Sequence, residues 1–323
     1  MTTDVEHFDS HIRLAAVYAG QLEQSRQDLL EFSNLHPDFV KDCLTAIDVS
    51  KARLKRAPTG EIFPHLVARS LVLDDNDRRC LMAAWLALFG YICLVDHELD
   101  RAGYLSGRTS IAASALLGWG IATIGRYTAQ TPFEKVFLEN VNRAFAGQYE
   151  DIRSRADAAA DRSVSDLDKN RAIVAAMAGF CAAAKETDER MIRAAEAMLG
   201  PFQILDDLED LQEDHGEDNV TLFVRIVRET ISTSIPLTRN AMYGAIIRDS
   251  RSKEVMIRAA DGIEKALVLL DSRRDRVLID YVTGLRDRTA TLIRILDDYQ
   301  RAPSPIKEPE VMRQIEQVAN GCG

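Results

Sequence analysis

Paired cysteines are missing from this sequence. Cys43, Cys80, Cys93, Cys181 and Cys322 are odd in number and far apart, with no C-x-x-C among them. That pattern excludes a disulfide framework and a cysteine-based zinc site. Excess positive charge is missing too. With 40 Lys and Arg against 50 Asp and Glu, a formal net charge of −10 and a pI near 5.2, the chain lacks the basic footprint that neutralises nucleic-acid phosphates. Hydrophobic runs stop short: the longest, Leu81 to Val95, is flanked by Arg78, Arg79 and Asp96 and falls below the roughly 20 residues of a membrane-spanning helix. The opening residues MTTDVEHFDSH have neither the basic region nor the apolar core of a secretory signal, so a reducing cytoplasm is the expected location. Strand-like alternation bounded by turn dipeptides is nearly absent as well.

What is present is apolar spacing at three and four residues over almost every segment, which predicts an all-α protein. A hydrophobic content of 46% over 323 residues is enough to bury a large core. Prolines and glycines fall mostly between the periodic stretches, at Pro58-Thr59-Gly60, Gly103 to Gly107, Thr131-Pro132, His215-Gly216 and Pro236. No repeat or low-complexity linker divides the chain, so a single domain over residues 1–323 is expected, its core at about 40–300 and its tail, 303–323, loosely packed or forming one short helix. Thr131-Pro132-Phe133-Glu134 reads as a helix start, with proline at the first helical position. Three helices are expected from there to Val220, with a polar break at Asp157 to Asp166 and a turn near Lys185 to Asp188.

Two strongly apolar helices end in carboxylates. Leu81 to Val95 is apolar on all sides, as a helix through the middle of a bundle would be, and runs into Asp96-His97-Glu98-Leu99-Asp100. Ala194 to Leu205 runs into Asp206-Asp207-Leu208-Glu209-Asp210. Residues four apart on a helix share a face, so Asp96 and Asp100 form one oxygen-rich wall and Asp206, Asp210 and Asp214 another. Stacked like charges at an apolar helix end call for a cation. An isolated D-x-x-x-D is ordinarily a solvated face; two of them, over a hundred residues apart and each closing an apolar helix, point to metal. The donors are all oxygen, which suits Mg²⁺ held together with substrate phosphates. A di-iron or di-manganese bundle would want Glu-x-x-His pairs, and none of His7, His11, His36, His65, His97 and His215 has glutamate three residues before it. A diphosphate held between such walls would leave as an anion stabilised by metal, and the allylic cation left behind would need a dry pocket with aromatic faces. Trp85, Phe89, Tyr91, Trp119, Phe180 and Phe202 lie in the helices concerned.

These residues resemble the trans-prenyl diphosphate synthases and the wider class I isoprenoid synthases. Gly200-Pro-Phe-Gln-Ile-Leu-Asp-Asp-Leu-Glu-Asp210 is similar to that family's second motif, G-x-x-F-Q-x-x-D-D-x-x-D, and is the most specific part of the likeness. Gly147-Gln148-Tyr-Glu-Asp151 resembles its G-Q-x-x-D element, and Asp96 to Asp100 stands where the first aspartate motif is expected. Thr59-Gly60 to Leu73 and Gly262 to Ala266 echo its flanking segments. The resemblance implies a single helical domain with a central apolar cavity, a cluster of up to three Mg²⁺ ions, a prenyl diphosphate substrate and a homodimer. By the same resemblance Asp96, Asp100, Asp206, Asp210 and Asp214 hold metal, while Arg108, Gln148, Lys169, Arg171, Gln203, Phe89 and Trp85 meet the substrate. Arg286, Arg288 and Tyr299 would cap the site.

The departures narrow the expected reaction. Chain elongation in this family needs a basic loop to grip isopentenyl diphosphate, and the matching stretch here is Gly60-Glu61-Ile62-Phe63-Pro64. The family's histidine seven residues before the first aspartate is Phe89, and its arginine pair after the first motif is Leu105-Ser106, followed by Gly107-Arg108. Such a pocket is ill-suited to a second diphosphate. The expectation is a terpene synthase on a prenyl-synthase scaffold; the alternatives are a chain-elongating or chain-transferring prenyltransferase, and a non-catalytic subunit of a heteromeric prenyl synthase.

Overall fold

A computed structural model describes residues 20–21, 23–41, 44, 59–100, 107–155, 168–216, 221–231, 238–270, 276–301, 303 and 307–319. Its helices, numbered along the chain, are α1 (Thr59–Ser70), α2 (Asp75–Asp100), α3 (Gly107–Thr128), α4 (Glu134–Arg155), α5 (Ala172–Ala183) and α6 (Arg190–Glu209). They continue as α7 (Leu211–Gly216), α8 (Leu222–Thr230), α9 (Arg239–Arg248), α10 (Ser250–Leu269), α11 (Arg276–Arg301) and α12 (Glu308–Ala319). A 3₁₀ turn, Lys169–Arg171, leads into α5. The protein is an all-α bundle built as one domain, with no strand among the described residues, and none of its described helices is long and apolar enough to cross a membrane.

The centre of the bundle is α5. Its sequence, AIVAAMAGFCAA, is buried from Ala172 through Cys181 to Ala182, and its small side chains let α1, α2, α3, α4 and α6 all pack against it. The first half of α2 shares that position, with every residue from Cys80 to Leu88 buried. The long apolar run was the expected middle of the bundle; the alanine-rich helix takes more of it, because alanine attracts little notice as a hydrophobe yet permits close helix approach on all sides. A second apolar cluster joins Leu29, Val40 and Leu44 to Leu86, Leu94 and Leu116, so the core reaches further toward the N-terminus than position 40. Arg79 fixes that junction by donating from both Nε (3.0 Å) and Nη2 (2.7 Å) to buried Asp28.

The punctuation of the middle region follows its sequence. Thr131 Oγ1 accepts from the Phe133 amide at 3.2 Å, and Glu134 reaches back to the Gln130 amide at 2.8 Å, a reciprocal cap that starts α4. The turn after α5 sits at Lys185, whose φ of 55° lets the Glu186 amide return to the Cys181 carbonyl at 2.9 Å. The polar break expected at Asp157 to Asp166 lies outside the described residues. Of the two expectations for the tail, loose packing or one short helix, the second holds: α12 forms over Glu308–Ala319 and places Ile315 completely inside the core.

Candidate active site

The second acidic stretch divides into two sets by burial. At the end of α6, Asp206 is exposed, Asp207 is buried, and Glu209 has a side chain 4% exposed. Asp207 Oδ1 accepts from Gln203 Nε2 at 2.6 Å, and its Oδ2 accepts from the Leu222 amide at 3.4 Å, so this carboxylate ties α6 to the start of α8. Glu209 pairs with Arg288 of α11. Asp206, Asp210 and Asp214 remain in helical register across the join of α6 and α7: the Asp210 amide donates to the Asp206 carbonyl and the Asp214 amide to the Asp210 carbonyl, each at 2.9 Å. Three carboxylates thus follow one another at four-residue spacing through α6 and α7, and among the described residues their side chains do not come together as a ready-made three-ligand metal site. Sequence reasoning placed the metal on those three; the structural work of Asp207 and Glu209 was not visible without their partners.

The 3₁₀ turn connects this stretch to an apolar pocket. Asn170 Nδ2 donates to Gln203 Oε1 at 2.8 Å, continuing the chain of side chains from Asp207 through Gln203. Its neighbour Lys169 lines a small apolar pocket walled by Leu88, Tyr91 and Ile92 of α2, Leu117 of α3, and Phe145 and Gln148 of α4. The turn lies hard against α4 because residue 147 is glycine: a Cβ there would stand 2.4 Å from the Lys169 nitrogen and 2.6 Å from the Asp168 carbonyl carbon. Gly147 therefore sets Lys169 beside Gln148. Tyr91 and Phe145 meet edge to face across the pocket wall, 6.5 Å between centroids.

Asp96 and Asp100 follow Leu88 and Ile92 at four-residue spacing along the sequence of α2. The side chains of Asp96, His97 and Asp100, like that of Arg108, lie outside the described residues. Lys169 shares the pocket with Leu88, Tyr91 and Ile92 of α2 and with Gln148 of α4, and Asn170 meets α6 at Gln203, three residues before Asp206.

The other expected substrate residues fall in different surroundings. Trp85 is 1% exposed and stacks at a tilt on half-buried Phe89, 5.5 Å between centroids. Phe180 and Phe202 are buried in the core, and Phe63 meets Phe202 edge to face at 5.5 Å. Phe63 thus packs helix α1 against α6 at Phe202. Arg171 is engaged with Asp168 (2.8 Å), Asn140 (2.9 Å) and Glu196 (3.0 Å), which fastens the turn to α4 and α6. Arg286 pairs with Asp287, and the Tyr299 hydroxyl donates to Glu308 at 2.9 Å. Phe145 was missed as a pocket residue, although it precedes Gln148 by three and so shares its face.

Asp168 makes the turn sensitive to acid. Burial alone would raise its carboxyl, but hydrogen bonds from Arg171 and Arg143 outweigh that and hold it below the ordinary carboxylate range. A group with a lowered folded-state value contributes stability above its unfolded value, near 4, and loses it as pH falls through the folded value. Asp168→Asn is expected to destabilise the protein by about 1 kcal/mol at neutral pH, the pair being partly exposed. Urea unfolding at stepped pH checks this: the gap between wild type and variant should hold from neutrality to the unfolded-state value and then close with further acidification.

Neither a family model nor a curated protein matches this chain.

Proposed function

We propose that the chain is a Mg²⁺-dependent class I isoprenoid synthase that ionises one allylic prenyl diphosphate, acting as a terpene synthase on a prenyl-synthase scaffold. The observation that carries this reading is the Lys169 turn: it lines an apolar pocket with a tyrosine and a phenylalanine in its wall, and its Asn170 is bonded to Gln203, three residues before Asp206. Asp206, Asp210 and Asp214 would hold the metal from one side, and Asp96 and Asp100 from the other. When bound, Mg²⁺ supplies the positive charge that an acidic chain lacks and stabilises negative charge on a departing diphosphate.

The chain's own residues do the rest. Lys169, fixed by Gly147, offers a cation at the polar rim, and Gln148 beside it offers amide donors. The C–O bond breaks with both electrons leaving on the diphosphate oxygen. Leu88, Ile92 and Leu117 keep water from the allylic cation, and the ring faces of Tyr91 and Phe145 stabilise it until a proton is lost or water adds. Packing of Phe63 against Phe202 supports a single-substrate reaction, because the segment that would grip a second diphosphate is occupied with core contacts. A cytoplasmic homodimer is part of the same reading.

The test is pyrophosphate release from geranyl, farnesyl and geranylgeranyl diphosphates with Mg²⁺, with and without isopentenyl diphosphate, followed by product identification. The expected result is release from a single substrate, independent of isopentenyl diphosphate, with a hydrocarbon or alcohol product. A longer diphosphate formed only when isopentenyl diphosphate is present would assign elongation instead. No release under any condition would remove the enzymatic reading.

A further inference from the structure

Glu209 stands apart within the second acidic stretch. It closes α6 between Asp206 and Asp210, yet its side chain is withdrawn from solvent where Asp206 is exposed. A carboxylate taken out of water needs both a cation and a hydrogen bond. Arg288 of α11, itself largely buried, supplies both through Nη2. The Nε–H of the same guanidinium donates to the Val318 carbonyl at 2.8 Å, in the last turn of α12. Last-turn carbonyls have no acceptor role inside their own helix and carry the negative end of its dipole, so a cation is their natural partner. One side chain therefore joins the acidic end of α6 to the C-terminal end of α12.

The seating of α12 has its own supports. Met312 and Ile315 enter the core, Glu308 pairs with Arg248 at 3.2 Å and accepts from Tyr299, and Glu316 pairs with Arg239 at 2.8 Å. These contacts hold the helix against α9 and α11, and it also packs on α6. We propose that docking of α12 sets the divalent-cation affinity of the Asp206–Asp210 face, with Arg288 as the positioning residue that transmits it through Glu209. Glu209 follows Asp206 by three residues and precedes Asp210 by one, so anchoring it fixes the roll of the last turn of α6 and the direction in which that carboxylate pair is presented. The metal part of this inference rests on the proposed function, and the mechanical coupling does not.

The test uses the full chain, with Mn²⁺ as a paramagnetic probe of binding and backbone hydrogen exchange of the metal-free protein over residues 205–214. Arg288→Gln is expected to weaken Mn²⁺ binding by about 10- to 100-fold, the range for partners that orient metal ligands. Arg288→Lys should recover part of that loss, since it keeps the charge but not the fork that reaches Glu209 and Val318 together. Ile315→Ala should weaken binding as well, although Ile315 is no candidate ligand, and the double variant should be no worse than Arg288→Gln alone, because both changes act on one path. In the metal-free protein, Arg288→Gln and Ile315→Ala should speed exchange at 205–210 while leaving α5 protected; Lys135→Ala, in an exposed ion pair, should change neither readout. Unchanged Mn²⁺ affinity and unchanged exchange in a folded Arg288→Gln protein would overturn the proposal, as would fully additive losses in the double variant. Wild-type protein that binds no Mn²⁺ would instead remove the proposed function, and the exchange data would still decide the coupling.

Discussion

Asp206→Asn should lower Mg²⁺-dependent pyrophosphate release by about 10²- to 10³-fold, the usual cost of removing one group aimed at charge that develops in a transition state. It should do so without unfolding the protein. The carboxylates of this stretch that hold the fold together are Asp207, bound to Gln203 and the Leu222 amide, and Glu209, bound to Arg288. Asp206, by contrast, is exposed. The replacement is nearly isosteric and removes one negative charge from a column of three, so the helix itself should be slightly relieved of repulsion. Asp298→Asn, at an exposed carboxylate on α11 outside both motifs, is the matched control and should retain full release. Parallel melting curves separate the outcomes. Equal activity in the two variants would sever the link between this column and the reaction, and a collapsed melting transition in Asp206→Asn would make the residue structural.

Gly147→Ala should be the most damaging small substitution near the site. Its methyl group would stand 2.4 Å from the Lys169 nitrogen, 2.6 Å from the Asp168 carbonyl carbon and 2.9 Å from the Asp168 Cβ, and two of these three atoms are backbone with no side-chain rotation to move them. The turn must retreat from α4, which carries Lys169 away from Gln148 and strains the Asn170–Gln203 bond. Overpacking of this kind costs about 3 kcal/mol at the upper end of its usual range, and a melting temperature roughly 4–5 °C lower follows for a chain of this size. Activity should fall further than stability explains, because the geometry of the polar rim is what changes. Gly118→Ala is the contrast: on exposed α3 a Cβ meets nothing within 4 Å, and the gain in helix propensity should stabilise by up to about 1 kcal/mol. Calorimetry on both variants checks the pair, and equal melting temperatures would show that the turn can shift at no cost.

The fold class was legible in the spacing of apolar residues, since a 3.6-residue period leaves its mark on every helix regardless of neighbours. The cap at Thr131 and the turn at Lys185 were legible for the same reason, being local. The column Asp206, Asp210 and Asp214 needed only helical register. Long-range pairing was not legible. Nothing near Glu209 in the chain announces Arg288, 79 residues on, and nothing near Arg171 announces Asn140 and Glu196, so a guanidinium read as a substrate grip turns out to be held by α4 and α6. The three aromatics singled out before Asp96 illustrate the limit of composition: Trp85 is core and Phe89 packs against it, whereas Tyr91 joins Phe145, from another helix, in the pocket wall. Which ring faces a cavity depends on how neighbouring helices are rotated, and one chain's periodicity does not encode that rotation directly.

The alanine-rich surface of α5 has a consequence for how this pocket can be reshaped. Because five helices rest against that one rod and Ala175 and Ala178 are fully buried in it, a larger side chain at either position would press on the helix it faces with no free space to take up the added bulk. The pocket wall contributed by Ala172 is therefore the fixed one. The opposite wall, at Leu117 and Phe145, lies on helices with open outer faces, where a change in bulk is absorbed by solvent. Variation in cavity contour, whether by natural drift or by design, has an inexpensive route only along α3 and α4.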